Sequence, residues 1–200
     1  HIFHTCSPAI PAILRNRSKN RNGGTVMIWF WNFVFYSWLG FLLEVTYACL
    51  TGAHPDRKCL LVLPLCPVYG LGACAIVLLS RLIPPSPVFL FLLGCGAATA
   101  VEYLTALFYE KVLRVSFWNY QGLPGCIQGR VCLPFSLAWG LLSLPLVWWV
   151  YPAMASWLER IPAPVSWAAA VTVGCDALLS AILLRRTGDT RCLRWYAARA

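Results

Sequence analysis

The sequence predicts an all-α, polytopic transmembrane helix bundle of about five spans. Three observations predict it. Hydrophobic residues make up 60% of the 200-residue chain and charged residues only 12%, against roughly 25% charged in a soluble domain. The mean hydropathy is +0.67. Apolar runs recur at about the 20 residues that a helix needs to cross the hydrocarbon of a bilayer. They fall at 29–50, 60–83, 88–109, 131–155 and 165–184. The links between them are short, which leaves no room for a soluble catalytic or nucleotide-binding domain. No G-x-x-x-x-G-K-[ST] loop occurs, so ATP hydrolysis by that route is excluded.

The first run carries Ser37, Gly40, Glu44 and Tyr47 at helical spacing. The second opens on Pro64 and Pro67, followed by Tyr69 and Gly70. Proline removes a backbone donor and blocks regular helix. Irregular backbone at membrane depth survives only against protein or a wet cavity. The stretch 64–72 is therefore either a broken or re-entrant entry, or a short interfacial loop before a helix that starts near Val68. The third run carries Cys95, Thr99, Glu102 and Thr105 on one stripe. The fourth carries Leu133-Pro134 and then Trp139-Gly140-Leu141. The fifth places Thr172, Asp176 and Ser180 beside a small face of Ala170, Gly174, Ala177 and Ala181. Small residues let membrane helices approach closely, and polar ones bond across the contact.

The order of these features repeats. An acid-bearing helix (Glu44, then Ala48) is followed by a basic loop and a helix with Leu63-Pro64 and Tyr69-Gly70-Leu71. The same order returns with Glu102, Ala106, Leu133-Pro134 and Trp139-Gly140-Leu141. This predicts a two-helix unit used twice, with a fifth helix appended. Transporters built from repeats hold their sites at the repeat interface.

Residues 27–186 form the expected membrane domain and 187–200 a basic tail. Residues 1–26 are polar and basic, and Met27 opens the first apolar run. Gly23-Gly24 can be encoded GGAGGN, a bacterial ribosome-binding sequence. Residues 1–26 thus read as a non-native translated leader or as a basic amino-terminal arm, and the nucleotide sequence separates the two. A cleaved signal peptide fits poorly, because the first run is long and no small-residue cleavage site follows.

Counted from Met27, one set of segments holds Arg57, Lys58, Lys111, Arg114, Arg130, Arg185, Arg186, Arg191, Arg194 and Arg199; the other holds Arg81 and Arg160. The positive-inside rule then puts the amino terminus outside and the carboxyl terminus in the cytoplasm. The net charge of +9 follows from these flanking residues and requires no nucleic acid. The partner that the composition does require is the lipid bilayer. The Arg-rich tail, closed by Trp195-Tyr196, reads as an anionic-lipid contact.

Three of the seven acidic residues, Glu44, Glu102 and Asp176, lie inside apolar runs. An intramembrane carboxyl costs several kcal/mol unless it is paired, bonded or wetted, which makes it a functional hypothesis. With three spans running the same way, all three acids fall about 9 to 12 Å from the cytoplasmic boundary at 1.5 Å per residue. They serve either as polar glue between helices or as the lining of a site for a cation, a proton or a cationic group. Arg130 begins the fourth run and can reach toward them. Tyr47 and Thr105 share their stripes. The loop 111–130 mixes Phe117, Trp118 and Tyr120 with basic residues, and either lies on the headgroups or docks a soluble partner.

Of the ten cysteines, Cys49, Cys66, Cys74, Cys95, Cys132 and Cys175 lie in or beside the apolar runs, and none forms C-x-x-C. They read as small packed hydrophobes, with no metal or cofactor expected. With His54 the sole histidine after Met27, no catalytic constellation emerges and no enzyme is expected.

Five ordered motifs resemble a known family. They are the run from Phe35 through Gly40 and Glu44 to Val45, the run Cys66-Pro67-Val68-Tyr69-Gly70-Leu71-Gly72, the run Val101-Glu102-Tyr103-Leu104-Thr105, the pair Glu110-Lys111, and Trp118-Asn119-Tyr120 through Gly129-Arg130-Val131-Cys132-Leu133. Together, over about 33–157, they resemble the ABC-transporter permease family of small bacterial type IV integral membrane proteins. The resemblance implies a permease subunit in a bacterial inner membrane, working with a separate ATPase subunit; a homo-oligomer is expected because five helices alone enclose little volume. Asn119 stands where the family tends to have Asp, and Cys126 where it has Asn. The alternative function is a membrane scaffold or regulatory subunit that binds a partner through the loop 111–130.

Overall fold

The computed structural model describes residues 22–51, 61–82, 86–158 and 160–193. Expectations for residues 1–21, for the basic pair Arg57 and Lys58, and for the end of the tail lie outside these residues.

The chain is an all-α bundle. Helix α1 spans Asn22–Leu50, α2 Pro67–Ser80, and α3 Pro87–Phe108, which runs on into a π-helical turn, Tyr109–Leu113. Helix α4 spans Leu133–Pro145, followed by a second π turn, Leu146–Val150, and by α5, Tyr151–Leu158. Helix α6 spans Ala163–Thr187 and leads to a 3-10 turn, Thr190–Leu193. Among the described residues, four stretches are long and apolar enough to cross a membrane: Thr25–Leu50, Pro87–Leu113, Leu133–Leu158 and Ala163–Thr187.

The helix limits follow from local chemistry. Ser86 caps α3, its hydroxyl accepting the Phe89 N–H at 3.2 Å, with Pro87 in the first turn. Proline is tolerated there because that N–H has no helical partner. Gly188 ends α6 with a φ of 65° and donates to the Leu184 carbonyl at 2.9 Å. Arg185 and Arg186 in the last turn complement the helix dipole. In the fourth span, Pro145 and Pro152 bracket the π turn. Each lacks the N–H that a regular helix would use, and the widened turn absorbs the mismatch.

The second expected span needs revision. Of the expected span, the described residues are 61–82, and of these Pro67–Ser80 is helical, 14 residues, or about 21 Å. That is shorter than the roughly 30 Å hydrocarbon core. The residues ahead of it are non-helical, and Pro64 and Pro67 are the cause. Leu61, Leu65 and Cys66 are buried, each under 8% exposed, while Val62 and Leu63 are half-buried and Pro64 is exposed.

The closest packing joins α3 to α4, α1 to α2, and α2 to α3. One core gathers Ile76, Leu90, Ala98 and Trp139. A second, at the carboxyl end of α6, gathers Tyr109, Leu113, Val115, Leu184 and Leu193. The two α-helical pairs meet through matching contacts. A Cβ on Gly70 would run into Ser37 Oγ and the Phe33 ring; a Cβ on Gly140 would run into Cys95 Sγ and the Phe91 ring. Phe33, Ser37 and Glu44 have the same spacing as Phe91, Cys95 and Glu102, and Tyr69-Gly70 matches Trp139-Gly140. The two-helix unit is therefore repeated in packing as well as in sequence order. Helix α6 packs only lightly against the two units and exposes Trp167, Val171, Leu178 and Leu179, as a lipid-facing helix does.

Candidate functional site

Glu44 and Glu102 occupy matching places in the two units. The Tyr69 hydroxyl donates to Glu44 Oε1 at 2.6 Å. Gly40, one turn earlier on α1, leaves the room that the Tyr69 ring fills. In the second unit Trp139 takes the place of Tyr69. Its ring lies against Tyr69, centroids 4.9 Å apart, and its indole faces Glu102. Glu44 is close enough to act on Glu102 through its charge. Glu102 is 5% exposed, and its Oε2 is buried with no hydrogen bond among the described residues.

The other oxygen of Glu102 is claimed from an unexpected direction. The Tyr120 hydroxyl, from the loop between α3 and α4, donates to Glu102 Oε1 at 2.8 Å, and its ring stacks on Phe135 at 4.8 Å. Burial first, then the charge of Glu102, pushes the Tyr120 phenol well above its ordinary value. It therefore remains a donor at physiological pH. The loop that delivers it is tied internally. Tyr120 N–H donates to the Gly129 carbonyl at 2.8 Å, and the Trp118 indole to the Arg130 carbonyl at 2.8 Å. Gly129, with a φ of 75°, lies so close to Asn119 that a Cβ would fall 2.6 Å from its Oδ1. Asn119 Oδ1 accepts the Gln121 N–H, and Cys126 Sγ accepts the Gly129 N–H. Both residues thus supply the turn acceptors that Asp and Asn would.

The remaining expected site residues lie elsewhere. Arg130 does not reach Glu44, Glu102 or Asp176. Its Nε donates to Glu110 Oε2 at 2.9 Å, and its Nη1 to the hydroxyl of Tyr103 at 3.3 Å and to Gln128. It fastens the loop to the end of α3. Asp176, 9% exposed, accepts the Leu63 N–H at 3.1 Å, and Ser180, one turn on, accepts the Val62 N–H at 3.3 Å. Cys66 N–H donates to the Ser37 carbonyl at 2.9 Å. These bonds satisfy backbone that Pro64 and Pro67 keep out of a helix. Asp176 and Ser180 therefore bond the non-helical stretch ahead of α2. Thr105 is buried and bonds back to the Val101 carbonyl at 2.7 Å, while Tyr47 is 49% exposed. Thr99 crosses to Ser136 of α4 at 2.7 Å.

Tyr120 and Trp139 are the site residues that sequence reasoning did not assign. Trp139 had a signal, since it stands in the repeat where Tyr69 stands. Tyr120 stood in the run Trp118-Asn119-Tyr120 of the family resemblance, which gave it no partner.

The helices define a polytopic α-helical membrane protein, with Glu102 buried and Glu44 half-buried at matching places in two similar helix pairs. The family model described as "Putative ABC-transporter type IV" matches residues 31–181, and the chain belongs to that family. No curated protein and no solved structure matches the chain. Acids so placed can hold positive charge or a proton, and the family speaks for transport rather than catalysis.

Proposed function

We propose that the chain is the membrane-embedded permease subunit of an ABC-type transporter, with Glu44 and Glu102 lining its polar site. The observation that supports this reading is Glu102 Oε2, a carboxylate oxygen buried within an apolar helix with no hydrogen bond among the described residues. A residue serving only as glue would use both oxygens, since an unmet buried acceptor costs about 1–3 kcal/mol. The family supports an ATPase partner. The lysine and arginine bias supports a bacterial inner membrane with the amino terminus outside.

Substituting Glu102→Gln or Glu44→Gln is expected to lower permease-dependent ATPase turnover of the reconstituted complex by about tenfold or more, as for other functional intramembrane acids. Insertion, followed by membrane fractionation, is expected to be normal. Unchanged turnover overturns the reading, and failed insertion of both variants assigns the acids to structure.

A specific observation favours one alternative, a scaffold that docks a partner. The ordered loop exposes Leu123 at 41% and Ile127 at 56%. In that case Leu123→Asp and Ile127→Asp break co-purification of the partner while Glu102→Gln does not.

A further inference from the structure

The depth of the loop between α3 and α4, residues 114–132, follows from side-chain contacts. The two helices run antiparallel. Ser143 Oγ donates to the Leu90 carbonyl at 3.0 Å, and Thr99 Oγ1 to Ser136 Oγ at 2.7 Å. That register sets Leu133, the first residue of α4, level with Glu102. Helix α3 and its π turn run on to Leu113. From Glu102 to Lys111 is roughly 13 Å of helix at 1.5 Å per residue. The loop must therefore descend beside α3 before α4 can begin.

Its tip makes that descent. The Tyr120 hydroxyl donates to Glu102 Oε1 at 2.8 Å, and the Tyr103 hydroxyl to Gln128 Oε1 at 2.9 Å. The Leu133 N–H donates to the Pro124 carbonyl at 3.1 Å. Residues 120–128 thus lie at the level of Glu102 and Tyr103. Helix α6 supplies a second ruler. Leu184 packs with Tyr109 and Leu113, so Arg185 and Arg186 stand level with Lys111 and Arg114, and all four are exposed. Basic residues at the ends of apolar helices mark the membrane boundary. The headgroup layer on each side of a bilayer is roughly 6 Å thick. The tip lies about twice that far inside the basic level.

Irregular backbone survives there only where protein meets its polar groups. The N–H groups of Tyr120, Leu123, Ile127 and Arg130 donate to the carbonyls of Gly129, Tyr120, Val131 and Ile127 at 2.8–3.1 Å. Arg130 carries its charge back outward, its Nε donating to Glu110 Oε2 at 2.9 Å, as long basic side chains do at depth. Leu123 and Ile127 are left exposed, at the level of exposed Leu104 of α3 and exposed Leu133 of α4.

We infer that the loop is a re-entrant segment whose tip sits among phospholipid acyl chains, with Leu123 and Ile127 as the lipid contacts. It neither rests on the headgroups nor offers these two side chains to a soluble partner. The inference uses no property of the permease reading.

The test is carbene photolabelling of the unaltered full chain in phosphatidylcholine–phosphatidylglycerol vesicles, with adducts located by mass spectrometry. One phospholipid carries a diazirine midway along an acyl chain, a second carries it on the headgroup, and a third reagent is a water-soluble diazirine. The expected result is mid-chain label on Leu123 and Ile127 comparable to that on Leu104, with none from the water-soluble reagent. Arg114 is expected to show the reverse. Three results overturn the inference. Label on Leu123 and Ile127 from the water-soluble reagent places the tip in solution. Label from the headgroup reagent without the mid-chain one leaves the loop lying on the surface. Label from none of the three means that a second copy or another protein covers the tip. No readout involves turnover, so a failure here leaves the permease reading standing, and unaltered ATPase turnover in the Glu102→Gln variant leaves the lipid contact standing.

Discussion

Gly70→Ala is expected to separate α1 from α2 and to destabilise the protein by about 1–3 kcal/mol, the range for overpacked interiors. The upper end is expected. The added methyl meets Ser37 Oγ and lies 2.6 Å from the Phe33 carbonyl oxygen. A side chain can rotate away, but a backbone carbonyl inside a helix cannot. Gly140→Ala meets Cys95 Sγ and the Phe91 ring, at 2.8 Å from the latter, and both of these are side chains. It is therefore expected to cost less, and Cys95→Gly in the same chain is expected to restore part of the loss. Gly96→Ala and Gly174→Ala are the controls. Nothing lies within 4 Å of either added methyl, and alanine is favoured over glycine in a helix by roughly 1 kcal/mol. They are expected to leave stability unchanged or raise it. Thermal unfolding in detergent checks all four. Equal losses at Gly70 and Gly174 would mean that close approach of the helix pair is not what selects these glycines.

The same pair of glycines marks how far the sequence could be read. Hydropathy counts side chains, and it located four of the membrane helices to within a turn or two. It placed a fifth full span at 60–83, where the side chains are apolar but Pro64 and Pro67 deny the backbone its ladder. The repeat was legible because Glu44 and Glu102, and Tyr69-Gly70 and Trp139-Gly140, keep their order. The packing then follows, since each glycine admits the residues that precede each acid. What linear spacing lacks is direction around the bundle. Glu44, Glu102 and Asp176 share an expected depth, yet depth says nothing of azimuth. Asp176 sits on the helix outside the repeat and turns to a different partner. Tyr120 was illegible for another reason. An aromatic residue in a loop reads as a headgroup anchor, and only the folded loop, held by Arg130 to Glu110 and by the turns at Asn119 and Gly129, carries it back to Glu102.

Asp176→Ala is expected to release the non-helical stretch ahead of α2. The Leu63 N–H loses its acceptor, and an unmet buried donor costs about 1–3 kcal/mol. Lipid offers no replacement, so irregular backbone at this depth depends on protein acceptors. Asp176→Asn keeps an oxygen at the same place and is expected to restore most of the stability. That outcome separates a need for an acceptor from a need for charge. Because α6 otherwise packs lightly, the bonds from Asp176 and Ser180 also fix where it docks. Loosening should therefore appear first beside Leu63, before the helix pairs open. Cys66, 6% exposed, is the natural reporter: maleimide labelling of Cys66, located by mass spectrometry, is expected to rise in Asp176→Ala and stay low in Asp176→Asn. If labelling is low in both while stability is lost in both, the acid's charge rather than its hydrogen bond holds this stretch.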